Sequence, residues 1–232
     1  RPWMSRSTSR QSNRRAEQAQ TPSAPVPLER DNSRSFVPLN LAILTVCDDE
    51  ALALDAAGDL LRDCVRASGH LLVARDRVAQ ELALIRARVT DWVGDDAIDV
   101  VLLSGGIGLT GRDVTPEALQ PLVSKPIDGF GEQVRQLYWQ RFGPAALHCR
   151  ALAAVAGGTY LFALPASPEV CRAAWDTVLA PQLDNRAQPH NLVETLPQLT
   201  ETRPPSARLL PKRQAQPLDE VDPQDAARFR LR

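Results

Sequence analysis

The chain has 232 residues, 24% of them charged and 44% hydrophobic, with a formal net charge of −1. Near-neutrality gives no basic face for a nucleic acid. No apolar run approaches the roughly 18 residues that a membrane span needs. The four cysteines, Cys47, Cys64, Cys149 and Cys171, are widely spaced, with no CxxC pair and no histidine at zinc-ligand spacing. They read as small, buried, reduced thiols, which fits a cytoplasmic protein.

Composition shifts twice along the chain. Residues 1–36 are rich in Arg, Ser, Gln and Pro, and residues 196–232 are again rich in Pro and charge. Neither stretch can bury enough apolar surface to offset its ordering entropy, so both are expected to be disordered tails flanking one domain at 37–195.

Within that domain, "LNLAILTV" (39–46) is a continuous apolar run, the pattern of a strand buried on both faces. Asp55 caps a helix that reaches Ser68, with Leu60, Leu61, Cys64 and Val65 on one side and Gly69 as its stop. "HLLVARDRV" is a second strand. Leu82, Ile85, Val89 and Trp92, spaced three, four and three apart, give the next helix one apolar face. "DVVLLS" (99–104) is a third strand. Helices follow near 116–123 and 130–142, then a strand at 159–165. A last helix over about 168–183 turns Val170, Ala174, Val178 and Leu179 inward. Strands alternating with helices of this length predict a three-layer α/β/α Rossmann-like sandwich with a mostly parallel sheet.

The stretch with chemistry in it is "LLSGGIGLTGRDVTPEAL" (102–119). A strand ends, four glycines fall within seven residues, and an Arg-Asp pair precedes a helix start. Glycines let several backbone N–H groups approach one point, as in a phosphate cradle. Thr115 reads as the N-cap, Pro116 as the first helical residue, and Glu117 as a complement to the helix dipole. The Walker A pattern fails because no Lys-Ser/Thr follows the glycines. Gly106, Gly108 and Gly111 match G-x-G-x-x-G literally, but the helix opens too late for the dinucleotide fingerprint. Asp113 belongs beside a phosphate if it holds a divalent cation, orients a nucleophile or is balanced by Arg112; alternatively it only caps the turn.

"GGIGLTGRDVTPEAL", "DGFGEQVRQL" and "LPASPEVCRAAWDTVLAPQLD" together resemble the MoaB/MogA molybdenum cofactor biosynthesis family over about residues 38–194. The resemblance implies a Rossmann-like domain, assembled as trimers or hexamers in the cytoplasm, that binds molybdopterin. Active members transfer adenylate from Mg-ATP to the molybdopterin phosphate. Carried over position by position, the loop is Ser104, Gly105, Gly106 and Gly108, and the catalytic aspartate, which would also hold magnesium, is Asp113. Asp48 follows the first strand, Arg112 and Arg150 are candidates for anchoring a phosphate, Gly131 and Glu132 border the pocket, and Ser167 lies in a "PASP" loop. The chain departs from the pattern in four ways. Ile107 stands in a loop that is GGTG in the family, and Ala166 replaces a glycine. Cys47 and Cys149 replace serines, and Gln80, followed by Glu81, stands where active members carry a second aspartate. Three readings stay open: an adenylyltransferase, a molybdopterin-binding scaffold without turnover, and a nucleotide-binding α/β enzyme of another kind.

Overall fold

The structure, a computed structural model, describes residues 29–47 and 55–199. Most of both expected tails, and Asp48, lie outside the described residues. The chain joins the domain earlier than composition suggests. Arg30 bridges to Ala187, and the Asp31 N–H donates to the Arg186 carbonyl. Asn185 Oδ1 accepts from the Val37 N–H at 2.9 Å.

Six strands form one sheet in the order β2-β1-β3-β6-β5-β4. β1 (Asn40–Val46), β3 (Val100–Ser104) and β6 (Thr159–Leu164) are buried along their whole length, which is why their sequences are unbroken apolar runs. β2 (Leu71–Val78), β1, β3 and β6 run parallel. The other edge differs. β5 (Leu152–Ala156) is antiparallel to β6, and the two-residue β4 (Lys125–Pro126) is antiparallel to β5. The purely alternating pattern read from the sequence passed over this hairpin.

Two helical layers cover the sheet. α1 (Ala56–Ala67) packs on α5 (Pro168–Ala174), and α5 on α4 (Asp128–Phe142); α2 (Leu82–Val93) packs on α3 (Thr115–Leu119). Ile85, Val89 and Trp92 are buried as their spacing requires, whereas Leu82, in the first turn, is 36% exposed. The last long helix is not regular. A π-helical turn at Trp175–Leu179 follows α5, so Trp175 and Leu179 are buried while Val178 is only partly covered. An inserted turn of this kind shifts the apolar stripe out of 3.6-residue register. No helix among the described residues is long and apolar enough to cross a membrane.

Asp55 does more than cap α1. Its side chain accepts from the Gly58 N–H (2.8 Å), the Thr45 hydroxyl (2.7 Å) and Arg75 (2.8 Å), joining α1, β1 and β2 at one buried point. Burial opposes its ionisation. The hydrogen bonds from Arg75, Thr45 and Gly58 outweigh that and hold the carboxyl below its ordinary value. A depressed carboxylate contributes stability above its unfolded pKa and loses it as pH falls through the folded value. Asp55→Asn is therefore expected to cost about 2 kcal/mol near neutrality. The difference from the parent, read by urea denaturation, should shrink as the pH is taken below 4.

Candidate functional site

The sheet order reverses between β1 and β3: from β1 the chain builds outward to β2, then returns to the other side. In open α/β sheets ligands bind at such switch points, beyond the carboxyl ends of the strands. The glycine loop leaves β3 at this point. Gly105 (φ +98°) and Gly106 (φ +65°) are both left-handed. A Cβ on Gly105 would lie 2.1 Å from the Val46 carbonyl oxygen, and one on Gly106 would lie 2.3 Å from the Thr115 hydroxyl. The loop is thus pressed against the end of β1 by backbone that only glycine can supply.

Four consecutive carbonyls of this loop are held by two residues. Gly105 O accepts from the Thr115 hydroxyl (2.9 Å) and Gly106 O from the Thr115 N–H (3.0 Å). Ile107 O accepts from the Arg150 N–H (3.0 Å) and Gly108 O from Arg150 Nε (2.6 Å). Thr115 is accordingly not the N-cap its position suggested. Val114 is the cap, and Thr115 is a fully buried tie to the loop. In a planar trans peptide the N–H lies opposite the carbonyl. Tying each carbonyl therefore turns the N–H of the following residue away from its tie. The Gly106 and Ile107 amides have no hydrogen-bond acceptor among the described residues. The Gly105 amide does, on Leu164 O, so it belongs to the sheet and not to a cradle.

Asp113 lies on the donor side of the loop. Its Oδ2 accepts from the Thr110 N–H (2.9 Å) and the Thr110 hydroxyl (2.7 Å), and the Gly108 N–H donates to the same carboxylate. Partial burial opposes its charge, but these hydrogen bonds prevail and the pKa is lowered. The negative group against the glycine loop is thus the protein's own carboxylate. A carboxylate has about four lone-pair sites, so three donors leave room for a cation. Among the described residues no three His, Cys, Asp or Glu side chains cluster to hold a metal by themselves. One carboxylate fits magnesium that arrives on substrate phosphates, which supply the remaining ligands.

The other expected residues fall along the same edge. The Ser104 side chain is buried at the end of β3, and its hydroxyl has no partner among the described residues. Arg112 is exposed, next to Asp113. Gly131 and Glu132 border a cleft of about 510 Å³ between α3, β4, α4 and β5, where Glu117, Asp128 and Arg135 are further walls. Ser167 caps α5 after β6, accepting from the Val170 N–H. Arg150, expected as a free anion anchor, is engaged instead. Besides the loop carbonyls it donates to Asp113 O (2.5 Å) and pairs with Glu117. That guanidinium holds the Glu117 carboxyl below its usual range. Gln80 and Glu81 sit after β2, two strand positions from the loop, and Glu81 is exposed at the start of α2.

Two departures have simple structural outcomes. Ile107 is 4% exposed and packs into the hydrophobic core. Ala166 is unstrained, because no non-glycine residue among those described has positive φ. Cys64, Cys149 and Cys171 are buried thiols, and Cys47 is half-buried. Sequence reasoning missed the tie made by Thr115, although a threonine ten residues after the first loop glycine is the only local clue it had.

The sequence profile of the family described as "probable molybdopterin binding domain" matches residues 42–185. Molybdenum cofactor biosynthesis protein B of Escherichia coli K12 is 43% identical over 159 residues, which covers 68% of this chain and 94% of that protein. Two crystal structures, each 28% identical, superpose well. One, of a molybdenum cofactor biosynthesis protein B, gives a TM-score of 0.64, covering 72% of this chain and 99% of the other. The second, the molybdopterin biosynthesis enzyme MoaB of Thermus thermophilus, gives 0.58, covering 70% and 97%. The chain belongs to the MoaB/MogA family.

The glycines provide a test of which backbone positions matter. Gly105→Ala is expected to cost about 3 kcal/mol or more, from left-handed strain plus the clash with Val46. Gly111, with nothing within 4 Å of its would-be Cβ, should accept alanine within ~0.5 kcal/mol. The dinucleotide fingerprint needs its third glycine for close packing, so a tolerant Gly111 also argues against that motif. Thermal denaturation of both variants measures the contrast.

Proposed function

We propose that this member of the MoaB/MogA family acts in molybdenum cofactor biosynthesis, binding molybdopterin and transferring adenylate to its terminal phosphate from Mg-ATP. The observation that carries the reading is the Asp113 carboxylate held on the donor side of the glycine loop, at the switch point of the sheet. Nucleotidyl transfer needs positioning and charge neutralisation more than covalent chemistry. The Gly106 and Ile107 amides supply donors for a phosphate. Asp113 supplies one oxygen ligand for the magnesium carried by ATP, and exposed Arg112 adds positive charge beside it. The cleft next to the loop has the size for a pterin, and Glu117, Asp128 and Glu132 in its walls accept hydrogen bonds from that ring's N–H edge.

A second reading, a molybdopterin-binding scaffold without turnover, is favoured by one observation. Gln80 brings no charge where active members carry an acid, and exposed Glu81 has no partner at the loop. Purified chain incubated with molybdopterin and Mg-ATP separates the two. Adenylylated pterin and pyrophosphate support the transferase, pterin binding without product supports the scaffold, and absence of binding overturns both. Asp113→Ala is expected to lower turnover on the order of 100-fold while pterin affinity changes little. Unchanged turnover in that variant would remove Asp113 from the chemistry.

Self-association is proposed as well. Trp139, Phe142 and Leu147, at the end of α4 and in the turn after it, are 53%, 42% and 75% exposed, more apolar surface than a monomer needs to show there. Sedimentation of the parent against Trp139→Glu reads this directly. A drop to monomer is the expected outcome, and an unchanged sedimentation coefficient removes this surface from the interface.

A further inference from the structure

We propose that Arg150 is a positioning residue that clamps the glycine loop shut from behind, and that it is not an anchor for substrate phosphate. The inference rests on the reading of the loop as a phosphate cradle but assigns Arg150 a different task from the one its charge suggests.

Each of the three guanidinium nitrogens of this residue has a protein acceptor. Its backbone N–H holds Ile107 O at 3.0 Å, Nε holds Gly108 O at 2.6 Å, and one terminal nitrogen holds Asp113 O at 2.5 Å. The other terminal nitrogen pairs with the Glu117 carboxylate. Gly108 and Asp113 are the two ends of the turn that carries Thr110 and the catalytic carboxylate. One rigid planar group therefore sets the separation of those ends. The Arg150 backbone N–H, by holding Ile107 O, sets the adjoining peptide plane, whose Gly108 N–H reaches Asp113. The side chain is 29% exposed, and its charge is offset by Glu117. A phosphate approaching this arginine meets an ion pair in which every guanidinium nitrogen already serves a protein acceptor, which makes it a weaker anion site than its charge suggests. Glu117 also lines the adjacent cleft, so the clamp joins the two halves of the site.

An anchor and a clamp differ in what a lysine can do. Lysine keeps the charge but presents one ammonium, which cannot span Gly108 O, Asp113 O and Glu117 with fork geometry. For a clamp, Arg150→Lys should raise amide hydrogen exchange at residues 107–114 about tenfold or more, with β1 and β3 unaffected. In the adenylylation assay kcat should fall about tenfold while KM for ATP moves less than threefold. For an anchor, Arg150→Lys would retain binding, and exchange in the loop would stay at the parent level.

Glu117→Gln, at a half-exposed position, guards against a variant that simply misfolds and gives opposite signs. Releasing the guanidinium from its carboxylate loosens a clamp, so loop exchange rises and affinity for inorganic pyrophosphate falls or holds. It would free an anchor, so pyrophosphate would bind more tightly with loop exchange unchanged. Tighter pyrophosphate binding by Glu117→Gln, or a loop as protected in Arg150→Lys as in the parent, overturns the proposal. If pyrophosphate binds neither the parent nor the variants, the phosphate-cradle reading fails, while the exchange data still decide the clamp on their own.

Discussion

The site depends on one constraint: the carbonyls of Gly105, Gly106, Ile107 and Gly108 are all tied, two to Thr115 and two to Arg150. A loop whose carbonyls faced the ligand side would repel an anion. Tying them elsewhere leaves the amides as the groups on offer and brings the Gly108 N–H to Asp113. The left-handed pair Gly105–Gly106 is what allows the backbone to turn this tightly against Val46. Each tie comes from a different region of the chain, Thr115 from the start of α3 and Arg150 from the segment that leads into β5. The loop is therefore assembled by the fold, not by its own sequence alone.

Much of the architecture was legible because burial leaves a direct mark on sequence. β1, β3 and β6 are covered on both faces, and each reads as an unbroken apolar run. Asp55, one residue before α1, was readable as a cap from local chemistry. Its second role, binding Thr45 and Arg75, depends on strand pairing and left no local trace. The β5–β6 hairpin did leave a trace. Gly157-Gly158 between two apolar segments is a two-residue turn signal, and both residues have positive φ in the structure. Read as part of a βα alternation, that signal was masked by the pattern on either side of it.

Of the site, residue types and positions were legible but hydrogen-bond partners were not. Asp113 beside the glycines was readable either as a ligand-side carboxylate or as the cap of its own turn. That its partners are Thr110 and Gly108, three and five residues away, follows only from the turn geometry. Arg150 looked like an available cation because a sequence displays charge and hides commitment; its acceptors are 33 to 42 residues distant. Ile107 looked like a lost hydroxyl in the loop, yet the structure places it as a core side chain, so the substitution extends the apolar interior beneath the loop. Ala166 occupies ordinary backbone, so the glycine it replaces is not required here by φ.

The outermost strand carries a different consequence. β4 is two residues long, both exposed, and they are a lysine and a proline. Proline has no N–H to offer a neighbouring chain, and the lysine puts a charge where another strand would have to dock. An open sheet of six strands would otherwise present a template for endless lateral growth. Ending it on Lys125–Pro126 closes this edge to backbone pairing, so the sheet cannot extend without limit from both of its sides.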